Sequence, residues 1–223
     1  MKKLLTILLI IGIGILATGF KLENTSIDEE TVFDIDDLYD YQKLFKSEEI
    51  DVCAENSTKT YMDYRATTAR DSKQYWFIHD QMTVDEKTGF LYDEYGFIGV
   101  ALGSFYGEIG DRYYFTLETG VVLPLVKCEE KSDSDTDITG CFHTSDNSVI
   151  EFVIDKDCAL SYFGRLSNDY VLNGNYNNYS LFSGRIAKVE KVLKEKNEEY
   201  VSFSKAKEID IKQYDIFNYA SGY

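Results

Sequence analysis

The chain has 223 residues, with 39 acidic against 23 basic side chains and a formal charge of −16. A surface this acidic is repelled by phosphate backbones, and no Lys/Arg stripe offsets it, so nucleic acid is excluded as a partner class. The length suffices for one hydrophobic core of ordinary size or two small ones.

The chain opens MKKLLTILLIIGIGILATGF. Lys2 and Lys3 form a positive n-region, Leu4 to Leu16 is free of charge, and Ala17 and Gly19 are small residues at −3 and −1. This pattern predicts a secretory signal over residues 1–19, cleaved after Gly19. The competing expectation is an uncleaved anchor, with membrane contact only through residues 4–20. Either way the protein is expected to be secreted, or anchored on the outer side of the membrane. Cleavage removes two lysines and no acid, which takes the charge to −18.

Residues 20–57 read as an acidic linker and a short helix. Asp36 and Asp37 precede Leu38, Tyr41, Leu44 and Phe45, whose spacing suits one amphipathic stretch. From Thr60 the period shortens to two. TYMDYRAT, QYWFIH, FIGVAL, RYYFTL, VVLPLV and SVIEFVI are β-branched and aromatic runs, separated by Gly-, Asn- and Asp-rich turns. They predict a β-domain over residues 58–168, a barrel or a sandwich. Pro124 places VVLPLV at an edge or a strand end. Residues 169–223 are expected to add a C-terminal hairpin, Leu181 to Leu193 pairing with Tyr200 to Ser204.

The four cysteines, Cys53, Cys128, Cys141 and Cys158, include no C-x-x-C pair, which argues against zinc. In an exported chain they point to disulfides, with three connectivities open. A Cys128–Cys141 bridge is the preferred expectation; it would close the acidic loop and contribute ~3 kcal/mol.

The order of Met62 to Thr68 (MDYRATT), Val100 to Ser104 (VALGS), Ile109-Gly110, Lys131 to Asp137 (KSDSDTD) and Glu151 to Asp155 (EFVID) resembles a group of secreted or phage-associated proteins of low-GC Gram-positive bacteria. More distantly it is similar to the three-aspartate (3D) and rare-lipoprotein-like domains. That resemblance implies a six-stranded double-psi β-barrel and action on peptidoglycan. Of the three aspartates, one falls where Leu102 stands, and the other two where Glu129 and Glu151 stand. The resemblance therefore implies the barrel more firmly than the chemistry.

Three kinds of site are open. Asp133, Asp135 and Asp137 match the first acidic positions of an EF-hand, but Ile138 replaces its glycine and Thr144 its closing glutamate. What remains is a looser divalent-cation site or a hydrated turn; no other cofactor is expected. For acid–base work the candidates are Glu151, Glu129 and Asp137. Glu151 alternates with Ile150 and Phe152, so it is either inward and perturbed or turned to water. For glycan binding the candidates are Tyr61, Asp63, Arg65, Tyr106 and His143, within a chain whose many aromatics either stack on sugars or pack the core. No G-x-S-x-G, H-E-x-x-H or P-loop occurs. The function expected is an exported cell-envelope protein that binds or modifies wall glycan. A lytic-transglycosylase-like enzyme and a non-catalytic surface scaffold are the alternatives.

Overall fold

Alternation at period two gives a mainly β protein, and nine strands join one mixed sheet in a computed structural model that describes residues 35–164 and 175–196. The strands are β1 (Phe45–Ile50), β2 (Lys59–Asp63), β3 (Thr83–Val84), β4 (Leu91–Tyr92), β5 (Ile98–Leu102), β6 (Arg112–Leu117), β7 (Val122–Glu130), β8 (Ile150–Ile154) and β9 (Ile186–Lys196). Two helices, α1 (Lys73–Asp80) and α2 (Lys156–Tyr162), pack on it. The path runs β1-β9-β6-β7-β5-β4-β3, and β8 joins β5 and carries β2. Two of the pairings, β2 with β8 and β5 with β7, are parallel.

No closed barrel is found among the described residues. The edge of β6 that closure would use is occupied by β9, whose far edge takes β1. β9 is an interior strand, between β1 and β6; Tyr200 to Ser204, its expected hairpin partner, lies outside the described residues, as do residues 1–34. Residues 45–50, expected in the linker, form β1. Only Phe45 of β1 is fully buried, and the strand is held by its antiparallel ladder to β9, with polar side chains alongside. Lys188 lies 3.3 Å from Glu49, and Ser47 donates to Glu190 at 3.1 Å. A polar window reveals such pairing only once its partner is known.

Two local assignments also change. The helix expected around Leu38 to Phe45 is a 3-10 turn over Ile35–Asp40, burying Ile35 and Leu38. QYWFIH, expected as a strand, lies in α1. Ser72 caps that helix, its hydroxyl accepting from the Tyr75 N–H at 3.1 Å, and Phe77 and Ile78 bury on the sheet. A cap and tertiary packing override the β-preference of the aromatics. Pro124 sits as predicted near a strand start: it pairs with Tyr114 of β6, and pairing of β7 with β5 begins only at Leu125.

The sheet is covered on both faces. One core gathers Ile98, Val100, Leu102, Phe115, Leu125, Phe152 and the ring cluster of Phe90, Phe163, Tyr176 and Phe182. The other holds Phe45, Phe77, Phe97, Ala101, Tyr114, Val126, Cys128 and Val153 beneath α1. Beyond β5 the acidic loop crosses the chain so closely that a Cβ on Gly103 would stand 2.0 Å from the Gly140 carbonyl. Gly140 itself has φ +70°, so both positions require glycine.

The disulfide joins Cys53 to Cys141 across 88 residues, not Cys128 to Cys141. Cys141 lies in the first core and Cys128 in the second, on opposite faces of the sheet. Peptide mapping without reductant is expected to recover Cys53 linked to Cys141, with Cys128→Ser leaving the link intact. Cys53→Ser should cost about 2–4 kcal/mol in chemical denaturation. A recovered Cys128–Cys141 peptide would contradict this fold.

Candidate functional site

The acidic side chains divide by what surrounds them. Between Val100 and Ala101 the pairing of β7 with β5 shifts: Val100 is opposite Lys127, Ala101 is opposite Glu129, and Cys128 is the extra residue. Such a bulge places two successive side chains on one face. Cys128 and Glu129 therefore both stand on the α1 side. On the other edge of β5, Ala101 is opposite Glu151, which in turn is opposite Thr60 of β2. Glu129, Ala101 and Glu151 thus form one row across three strands, about 10 Å from first to last backbone. Alanine is the spacer, and the Glu151 charge acts on the Glu129 carboxyl across it.

The two carboxyl groups are not equivalent. Burial, then the nearby Glu151 and Glu130 carboxylates, push the Glu129 carboxyl up to about 7, against a smaller pull from Lys131 and Lys127. Its polar partner is neutral: Gln74 of α1 donates to Glu129 Oε1 at 3.3 Å, while Gln74 Oε1 accepts from the Glu130 N–H at 3.4 Å. Burial also raises Glu151, and Lys131 and His143 oppose that rise. Lys131 Nζ is 3.9 Å from Glu151 Oε2 and donates to the Ser148 carbonyl at 2.9 Å and hydroxyl at 3.2 Å. Glu129 is thus pushed toward its protonated form near neutrality, beside Glu151, whose own rise Lys131 and His143 oppose.

Lys131 has a second effect. It opens the acidic loop, Ser148 closes it, and the bond between them pins the base of that loop beside Glu151. Lys127, also fully buried, donates to the Gly103 and Gly107 carbonyls at 2.9 and 2.6 Å and pairs with Glu130 at 2.5 Å. It fixes the turn after β5.

The loop carboxylates serve the loop. Asp137 accepts from the Cys141, Phe142 and Thr139 N–H groups at 2.7, 3.1 and 3.0 Å. Desolvation pushes its carboxyl up, but the bonds from Thr139, Phe142 and Cys141 outweigh it and hold the group down at about 2. Such a group does not deliver a proton near neutral pH, so Asp137 does not suit the role of acid. Asp133 accepts from Ser104 at 2.8 Å, and the Asp135 carbonyl accepts from Thr144. Asp133, Asp135 and Asp137 do not converge, and no group of three or more potential metal ligands gathers among the described residues.

The expected glycan-binding residues scatter. Tyr106 is fully buried in the first core, its hydroxyl 3.1 Å from Cys53 Sγ, so no sugar reaches its ring. Tyr61 is half-buried, edge-on to Tyr176 at 6.0 Å. Asp63 caps the turn after β2, and Arg65 pairs with it at 2.6 Å and with Asp157 of α2 at 2.9 Å. That pair fastens β2 to α2. Only His143 stays near the carboxylates, with Nδ1 2.8 Å from the Ser145 hydroxyl. Gln74, Ala101 and Lys131 are the participants that pattern reading misses. The one hint is a small residue flanked by large ones in Val100-Ala101-Leu102.

Comparison with protein-family models, with curated proteins and with solved structures finds no match to this chain.

The raised Glu129 carboxyl has a measurable sign. Its folded value of about 7 exceeds the ordinary 4.5. Between those pH values the unfolded chain gives up a proton that the folded protein keeps, so this group makes stability fall as pH rises through the window and level off above it. Glu129→Gln removes the effect. Its melting temperature relative to wild type is expected to climb by roughly 5–10 °C between acidic and alkaline buffer. A difference that stays flat with pH would contradict the assignment.

Proposed function

We propose that this chain is an exported cell-envelope protein that modifies wall glycan, with Glu129 and Glu151 as an acid–base pair. The observation that carries the reading is a single row of side chains. A desolvated, proton-holding glutamate and a lysine-steadied glutamate face the same way across Ala101. Glycan cleavage by transglycosylation asks for both roles. The acid protonates the glycosidic oxygen as its bond to the anomeric carbon breaks. The carboxylate takes the proton of the sugar hydroxyl, whose oxygen then bonds that carbon and closes an anhydro ring. Glu129 is the acid and Glu151 the base.

Export is supported by the leader-like residues 1–19 and by the Cys53–Cys141 disulfide, a bond that persists in oxidising compartments. The parallel pairs β2–β8 and β5–β7 support a double-psi-like centre, in line with the resemblance to peptidoglycan-acting domains.

Incubation with insoluble peptidoglycan is expected to release anhydro-muropeptides. The rate should fall above pH of about 7 as Glu129 loses its proton. Glu129→Gln and Glu151→Gln should each lower release by about 10²–10⁴-fold, and Asp137→Asn should leave the pH profile in place. Binding without release would replace the enzyme with a binding module; neither binding nor release would leave a scaffold.

A further inference from the structure

A second feature lies apart from the carboxylate row. A groove of about 820 Å³ runs beside α1, between that helix, the turn after β4 and the turn before β6. Its lining includes neither Glu129 nor Glu151. Trp76, Phe77 and Ile109 give it an apolar wall.

The charges around that wall do not cancel. Arg112 donates to Asp93 at 2.6 Å and lies 5.0 Å from the Tyr95 ring, so this cation is committed to the protein. Asp111 is likewise paired with Lys191 at 2.9 Å. Among the described residues, no ion pair engages the exposed lining acids Asp71, Asp80, Glu94 and Glu108, and the lining cations left to oppose them are Arg70 and Lys73. The groove therefore carries surplus negative charge beside an indole ring, within a chain of formal charge −16. This combination disfavours a phosphate or carboxylate group on the acidic rim itself. It attracts an ammonium group on an aliphatic stem: methylenes on the apolar wall, the charge against the rim carboxylates.

We propose that the groove binds the ε-ammonium side chain of lysine-type peptide stems. It would hold a peptide-bearing polymer while the carboxylate row acts on its sugars. The amine preference stands on the groove alone; the choice of a stem peptide rests on the envelope reading above.

The test is calorimetric titration of the purified protein with a synthetic stem tetrapeptide carrying a free lysine ε-amine, beside its Nε-acetylated counterpart. The free amine should bind, and acetylation should weaken binding about tenfold or more. The double variant Asp80→Asn, Glu108→Gln, which alters two exposed side chains, should weaken it to a similar degree. Raising salt from about 0.02 M to about 0.5 M should weaken it too. Glu129→Gln should bind the peptide as wild type does, which separates this site from the catalytic proposal: either one can fail alone. Equal binding of the acetylated peptide would overturn the groove assignment, as would an unaffected double variant. Spermidine binding as tightly as the tetrapeptide would overturn the peptide assignment.

Discussion

Strand β7 passes Lys127, Cys128 and Glu129 along the stretch where β5 offers only Val100 and Ala101, and the placement of Glu129 follows from that one extra residue. Without the bulge, strict alternation from the second-core Val126 and Cys128 would turn Glu129 to the opposite face of the sheet, away from Gln74 and Glu151. With it, Cys128 fills the second core, Glu129 emerges beside it, and Lys127 points the other way to hold the turn carbonyls of Gly103 and Gly107. The row Glu129–Ala101–Glu151 is thus a consequence of register rather than of any local cluster of acids.

A sheet buried on both faces gives that row its low-dielectric setting. The first core and the α1-side core leave little water around the central strands, so a carboxyl on β7 or β8 feels its neighbours strongly. Lys131 breaks the symmetry between the two glutamates. Fixed by Ser148, it lies 3.9 Å from Glu151, while Glu129 takes a neutral amide from α1. Burying a lysine is costly unless it is hydrogen-bonded and paired. Lys131 meets both conditions and in doing so anchors the acidic loop. The Cys53–Cys141 bond fixes the far side of that loop to the first core.

The strand pattern was legible in the sequence because period-two runs such as FIGVAL and SVIEFVI bury one side chain in two on each face. α1 was misread because QYWFIH is rich in strand-favouring residues, and only the Ser72 cap and a waiting sheet face make it helical. β1 was hidden for the opposite reason: FKSEEI is polar, and its partner lies some 140 residues away, at Val189 to Lys196. Glu129 and Glu151 were named as candidates through resemblance and alternation, yet their juxtaposition was not visible. A bulge has no composition signature, and a one-residue slip reverses which side chains share a face. The cysteine error has a simpler cause: ordinary alternation carries Cys128 with Val126 into the second core, while Cys141 lies in the first. Cys128 and Cys141 are neighbours in sequence, but the sheet lies between them. Asp137 shows the converse. Its place in an acid-rich run suggested chemistry, whereas its hydrogen bonds make it the organiser of a turn.

The proposed chemistry depends on one coupling, between the Glu129 carboxyl and Glu151 across Ala101. Carbon-13 labelling of glutamate side-chain carboxyls, followed by NMR through a pH titration, reads it directly. One glutamate is expected to titrate near 7, to vanish in Glu129→Gln, and to move downward in Glu151→Gln as the neighbouring charge is removed. If every glutamate carboxyl titrated in the ordinary range near 4.5, or if the high-titrating one ignored Glu151→Gln, the two side chains would not share a site and the account would be wrong.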